Sequence, residues 1–279
     1  MISDARLEAD LMSLAGPEAD IAELLSLLPG GGLIATEEGD PVLWLSGERA
    51  TDGLWASVRA LHARTGLWPL LLEPLARDDD FRPWASGELA PDRMGAPSSY
   101  DPERVLSASW EGCTASGDPD DHLSESEREA VTAPYGRRWP GLAPGLKGAD
   151  PVLAAEEYAS HLMTLGREWR LGLVATGRGA DSVAAAGWIG PVNHVEDTAE
   201  IAAVVRSWED RFGAIVVGVG FADLYLSIAA PPTTPTEALP IAAEHFAFCP
   251  DSVWQGRHHD LRSYARELVD LHEWRFWWD

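Results

Sequence analysis

DTAEIAAVVRSWEDRFGAIVVGVGFADLYLSIA (Asp197–Ala229) reads as a helix running into two strands, and that order decides the fold. Asp197 followed three residues later by Glu200 is a capping box. Ile201, Val204, Val205, Trp208 and Phe212 then recur three and four apart, which is one apolar stripe of a helix. Gly213 ends it. Beyond Gly213 the period changes to two. Ile215, Val217 and Val219 alternate on one strand, and Leu224, Leu226 and Ile228 on the next. The intervening turn is tight, so the two strands pair.

Working outward, residues 154–169 read as a helix and 171–176 as a strand. A Gly177-Arg178-Gly179 loop and a short helix to about Gly187 follow. Thr234, Pro235 and Glu237 form another capping box, with proline at its preferred first helical position, and this helix runs to about Phe248. Leu261, Tyr264, Leu268 and Leu271 stripe a last helix, and residues 273–278 form a final strand. Interleaved helices and strands in this order give an α+β fold, a mixed β-sheet covered by helices.

The chain divides into three stretches. Residues 1–75 form an N-terminal α/β lobe. Its first helix carries Leu7, Leu11 and Leu14 and stops at Gly16. Pro17 opens a second with Ile21, Leu24, Leu25 and Leu28. After Gly30–Gly32, residues 33–36 and 41–46 read as a hairpin around Glu37-Glu38-Gly39-Asp40. Residues 50–65 are helical, and 67–72 form a buried strand. This lobe either extends the C-terminal sheet or stands as a second one. Residues 76–150 are a Pro- and Gly-rich irregular connection, with one capped helix at Ser124 and Glu127. A connection this long is functional, disordered or laid over the core, and Phe81, Trp84, Trp110 and Trp139 favour the last. Residues 151–279 are the C-terminal α+β domain.

Five motifs of that domain stand in a recognisable order: TGRGADSVAAAGW (Thr176–Trp188), RSWEDRFGA (Arg206–Ala214), VVGVGF (Val216–Phe221), AEHFAFCPD (Ala243–Asp251) and WRFWWD (Trp274–Asp279). On these, roughly residues 158–279 resemble domain of unknown function 4253, a bacterial C-terminal domain. The resemblance implies no activity.

Among the 279 residues, 45 are acidic and 21 basic, a net charge of −24. A field of that sign repels phosphate backbones and anionic lipid, so nucleic-acid and membrane binding are not expected. It serves solubility, or it docks a basic protein partner. Lys147 is the only lysine, a bias that fits a G+C-rich bacterial genome. Cys113 and Cys249 give no disulfide framework, which suits a reducing cytoplasm. The N-terminus has no basic, then apolar, leader pattern, and no window approaches the roughly eighteen apolar residues of a membrane span.

Candidate functional residues are scattered. Arg178, in a Gly-Arg-Gly turn between strand and helix, is placed to hold an anion, or else it pairs with a carboxylate such as Asp181. Glu209 and Asp210 are adjacent carboxylates about 100° apart on their helix, poorly set to share one substrate. Glu209 is a partner for Arg206 or for a more distant arginine. His245 and Cys249 are four apart on one helix face, a spacing open to metal or nucleophile–base use, or to a packed core histidine. Trp188 and Trp254 lie at loop boundaries as candidates for a recognition surface, and Asp251 is a candidate to line a pocket with Arg178, Trp188 and His245. His258-His259-Asp260, Asp118–His122 and Asp78-Asp79-Asp80 lack any ligand pattern, so no metal and no cofactor is expected.

Two functions are consistent with this. One is an acidic binding module that engages a basic protein, for instance an immunity-type inhibitor. The other is an enzyme or sensor for a small anion at a cleft around Arg178, with Trp188 or Trp254 stacking and His245 or Glu209 moving a proton.

Overall fold

The two strands read from Asp197–Ala229 lie inside one seven-stranded sheet that draws on both halves of the chain. The computed structural model describes residues 4–36, 39–76, 80–115, 124–257 and 259–278. Glu37-Glu38 of the hairpin turn, Asp78-Asp79, Asp118–His122 and His258 lie outside the described residues.

In chain order, α1 (Asp4–Ala15) and α2 (Ala22–Leu27) lead into β1 (Gly31–Ala35) and β2 (Pro41–Arg49). Then come α3 (Leu54–Ala60), α4 (His62–Thr65) and β3 (Leu67–Leu72). The connection carries α5 (Pro102–Thr114) and α6 (Glu125–Thr132), followed by α7 (Pro151–Thr164) and β4 (Arg170–Ala175). After α8 (Ser182–Ala185) and α9 (Thr198–Phe212) come β5 (Ala214–Val219) and β6 (Asp223–Ile228). The chain finishes through α10 (Pro235–Phe248), α11 (Asp251–Trp254), α12 (Leu261–Glu267) and β7 (Glu273–Trp277).

The strand order is β1-β2-β4-β3-β5-β6-β7. Only β3 and β5 pair in parallel; the other neighbours are antiparallel. The fold is therefore α+β with a mixed sheet, and the question the sequence left open resolves to a shared sheet. N-terminal β3 sits between β4 and β5, at the centre of the C-terminal strands. Its six residues, Leu67–Leu72, are all buried, which suits a short apolar run covered on both faces.

Helix α7 crosses one face over β5 and β6, where Trp169 donates its indole N–H to Leu162 O (3.0 Å). The opposite face is covered by α9 and α10. There Trp208 stacks on Phe276 (5.3 Å between centroids) and meets Trp274 and Phe248 edge-on. This aromatic cluster is the deepest part of the core, and Trp208, Trp274 and Phe276 are at most 2% exposed.

Local signals set the elements. Ser124/Glu127 and Thr234/Glu237 both form complete capping boxes. Asp197 caps α9 without the reciprocal bond from Glu200, and its carboxylate also takes Gly95 N–H and Tyr100 O–H. Gly213 closes α9 at φ 61°, a left-handed position that glycine adopts at little cost. Other boundaries move. Pro17 starts a turn rather than a helix, and α2 begins at Ala22. The 50–65 helix divides at Leu61. Helix α7 opens earlier than expected because Asp150 caps it and Pro151 is its first residue. The connection holds a full helix, α5, capped by Asp101. Its aromatics lie on the core as expected: Trp110 packs edge-on to Phe246 (5.6 Å) and beside Trp139 (5.7 Å), and Trp84 donates to Glu73 O (2.8 Å).

Candidate functional site

The residues singled out from the sequence fall into three separate places. The first is an ion-pair network on the side of α9. Arg178 donates through Nε to Glu209 (2.6 Å) and through Nη2 to Asp210 and Arg206 O. Arg206 in turn holds Asp181 through Nε and Nη2. Burial opposes the charge of Arg178, but Glu209 and Asp210 outweigh it and raise its pKa. Burial raises the Glu209 carboxyl, with Arg178 acting against that shift. Any external anion at Arg178 must compete with two carboxylates already in place.

The second place is the aromatic core. Trp188 is fully buried, and its indole N–H donates to the carbonyls of Gly220 (3.1 Å) and Phe221 (2.9 Å). It presents no face to solvent. His245 is fully buried between Trp208, Trp274 and Phe276, with Nδ1 3.0 Å from Tyr264 Oη and Nε2 unpartnered. Burial pushes its pKa down to about 3, so it is neutral in the fold at ordinary pH. Cys249 does not act with it: the thiol points to Trp277 O (2.9 Å), and burial raises it to about 11. Both cysteines are free.

The third place is the end of α10. Asp251 is buried and accepts from Gln255 Nε2 (3.0 Å). Trp254 is half-buried, edge-on to Phe246 (5.2 Å). Among the described residues no group of three or more His, Cys, Asp and Glu is arranged to hold a metal ion. None of their helices is long and apolar enough to cross a membrane.

A polar and aromatic trough lies elsewhere, where the sheet ends at β7. A cavity of about 380 Å³ is walled by Tyr158 and Leu162 of α7 with Leu165 just past its end, and by Tyr264 of α12 with Leu268 and Leu271 beyond it. Tyr225 of β6 and Glu273, Trp274 and Arg275 of β7 also line it. A second cavity of about 390 Å³ shares Tyr158, His161 and Glu273 with the first, and extends the trough past Leu153 and Glu157 to Asp150.

Its two arginines are already neutralised. Arg167 Nη1 donates to both oxygens of Glu73 (2.7 Å each) and to Tyr225 Oη (2.8 Å). Tyr225 Oη donates to the same carboxylate (2.7 Å), and burial raises its phenol well above the ordinary range. Arg275 donates to Asp223 through Nε (3.0 Å) and Nη2 (2.8 Å). Asp150, Glu157 and Glu273 then leave the trough with excess negative charge.

Residues 170–279 match the family model described as domain of unknown function DUF4253. No curated protein and no solved structure matches the chain. The matched stretch begins with β4 and includes β5, β6, β7 and α8–α12. The trough therefore joins elements inside the matched stretch, β6, β7 and α12, to a helix outside it, α7.

Sequence reasoning missed this site. One signal for it was available: Leu153, Glu157, His161 and Leu165 recur every four residues on α7, an exposed stripe that mixes apolar and charged side chains.

Proposed function

We propose that the protein is a binding module that docks a basic protein partner in the trough between α7 and β7. The observation that carries this reading is the outward face of α7. Leu153 is 58% exposed and Leu165 48%, among the most open large apolar side chains described, and they stand beside Asp150, Glu157 and Glu273. Apolar side chains within a carboxylate rim suit a ligand that is both cationic and apolar. The net charge of −24 attracts the same ligand at longer range and speeds encounter at low salt. Inhibition of a basic toxin in a bacterial cytoplasm is one concrete form of this function.

Capture from host lysate by the wild-type protein and by the double variant Leu153→Asp/Glu157→Lys tests it. The expected result is one basic protein, named by mass spectrometry, held by the wild type at low salt, released by high salt and not retained by the variant. Identical captures by the two proteins would sink the assignment of the trough.

A further inference from the structure

The trough surrounds a free sheet edge. Strand β7 is the last of the seven, and its register sets Glu273 opposite Ser227, Trp274 opposite Leu226 and Arg275 opposite Tyr225. Ile228 N–H donates to His272 O (2.8 Å) and Trp278 N–H to Ala222 O (3.0 Å). Bonded and non-bonded pairs alternate along an antiparallel ladder. Hence His272, Trp274, Phe276 and Trp278 turn their main-chain groups towards β6, while Glu273, Arg275 and Trp277 turn theirs outward. Trp277 O is taken by the Cys249 thiol (2.9 Å), which closes one end of the edge. Among the described residues nothing bonds the main-chain N–H or C=O of Glu273 and Arg275.

We propose that this edge binds a short extended basic segment by strand addition, pairing it with the main chain of Glu273 and Arg275. The inference rests on the docking reading above and specifies how the partner is gripped. Side chains of an added strand alternate between two faces. One set meets Leu165 just past the end of α7, and the other meets Tyr264 and Leu271 on the α12 side. Charge selects the occupant. Arg167 and Arg275 are held by Glu73 and Asp223, so Glu157 and Glu273 dominate the mouth and favour arginine or lysine in the segment. A second copy of this chain carries −24 as well and is repelled. Open edges are usually protected by charge, proline or a bulge; here Glu273 and Arg275 put charge on the edge, but Arg275 is paired with Asp223 and the main-chain groups of both stay unbonded among the described residues.

The probe is an eight-residue peptide of alternating arginine and valine, beside its analogue N-methylated at every residue. Hydrogen exchange of the full-length protein is followed by NMR at Glu273 and Arg275. Saturation with the first peptide is expected to slow both amides about tenfold, while the N-methylated peptide leaves them unchanged. Arg275→Pro deletes an outward N–H but no sheet bond, a placement that edge strands tolerate, and is expected to weaken binding about tenfold relative to Arg275→Ala. Failure of the peptide to bind at millimolar concentration overturns the proposal. So does binding with exchange unchanged at Glu273 and Arg275, although shifts at Leu153 and Glu157 would then keep the docking reading. Concentration-dependent dimerisation with the same protection and no peptide would assign the edge to a second copy and overturn the basic occupant.

Discussion

Around α9, Arg178 reaches Glu209 and Asp210, Arg206 reaches Asp181, and Arg211 reaches the buried Glu244. Along β7, Arg275 also reaches a carboxylate, Asp223, but among the described residues nothing bonds its own main chain, and Leu165 in the same trough is 48% exposed. The same residue types thus serve two ends. On α9 the polar groups satisfy one another, and the aromatic cluster beneath them is sealed. At β7 the ionic groups are satisfied while backbone and apolar surface stay open. A conspicuous arginine is therefore a poor guide to function here, because its carboxylates come from the same fold. Open backbone within an apolar trough is a better guide, since burying it costs free energy unless a partner supplies the hydrogen bonds.

The sharpest way to break this contrast is to unseal the α9 side. Glu244 has no exposed surface; it takes Arg211 through both oxygens (2.7 and 2.6 Å), Ala143 N–H (2.6 Å) and the Trp208 indole N–H (2.8 Å). Glu244→Ala leaves two N–H donors unsatisfied and strips the Arg211 guanidinium of its carboxylate, with only Ser207 Oγ and Ala143 O still accepting from it. It should lower unfolding free energy by about 3–5 kcal/mol, read as a fall in urea midpoint at an unchanged slope. A loss below about 1 kcal/mol would mean that water replaces the carboxylate and that this side is not sealed.

Next in size is the acid sensitivity that the buried histidine confers. His245 stays neutral in the fold to about pH 3, whereas its ordinary value is 6.5. Between these limits the unfolded chain binds more protons, so stability falls as pH drops below 6.5 and is flat above it. At about 1.4 kcal/mol per pH unit, acidification from pH 6.5 to 5 costs about 2 kcal/mol from this group alone. His245→Leu should remove that increment, so that the wild type loses about 2 kcal/mol more than the variant over the same interval in urea titrations. Equal losses would show that the imidazole is hydrated within its aromatic surround.

Legibility in the sequence follows the same division. Elements fixed by local chemistry were readable: the stripe of α9, the boxes at Ser124 and Thr234, and the alternation in β5 and β6. Helix α5 was hidden among prolines, although Asp101-Pro102 is a cap followed by a first-turn proline, and that pair could have revealed it. The trough was not readable, because α7 and β7 are far apart in sequence and meet only through the sheet. The edge status of β7 follows from strand order, which no periodicity encodes. Glu209 pairs with a distant arginine, one of the two partners its sequence context allowed, and the geometry shows how. Glu209 and Asp210 diverge on the helix, but Arg178 comes from a separate loop and its planar group reaches both. Trp188 lies at a loop boundary in sequence, yet long-range bonds to Gly220 and Phe221 draw it into the core.

Arg178→Ala has a smaller expected effect. The pair is about one-third exposed, 33% for Arg178 and 29% for Glu209, so solvent screens much of its attraction. The variant should lose about 1 kcal/mol at low salt and less at high salt, by urea denaturation, with partner capture unchanged. Loss of capture with stability intact would move the functional site from β7 to the α9 network and reverse the contrast.

The smallest stability effect belongs to the trough itself, and that smallness is the argument for it. The side chains of Leu153 and Glu157 lie on the solvent side of α7; the Asp150 cap uses only the main-chain N–H of Leu153, and Leu162 anchors the inner face. Leu153→Asp/Glu157→Lys should therefore change unfolding free energy by no more than about 0.5 kcal/mol. An apolar side chain open at a site where its removal costs the fold almost nothing is free to serve a partner. If instead the pair destabilises the protein by about 2 kcal/mol, Leu153 packs more tightly than its 58% exposure indicates, and the trough is core rather than surface.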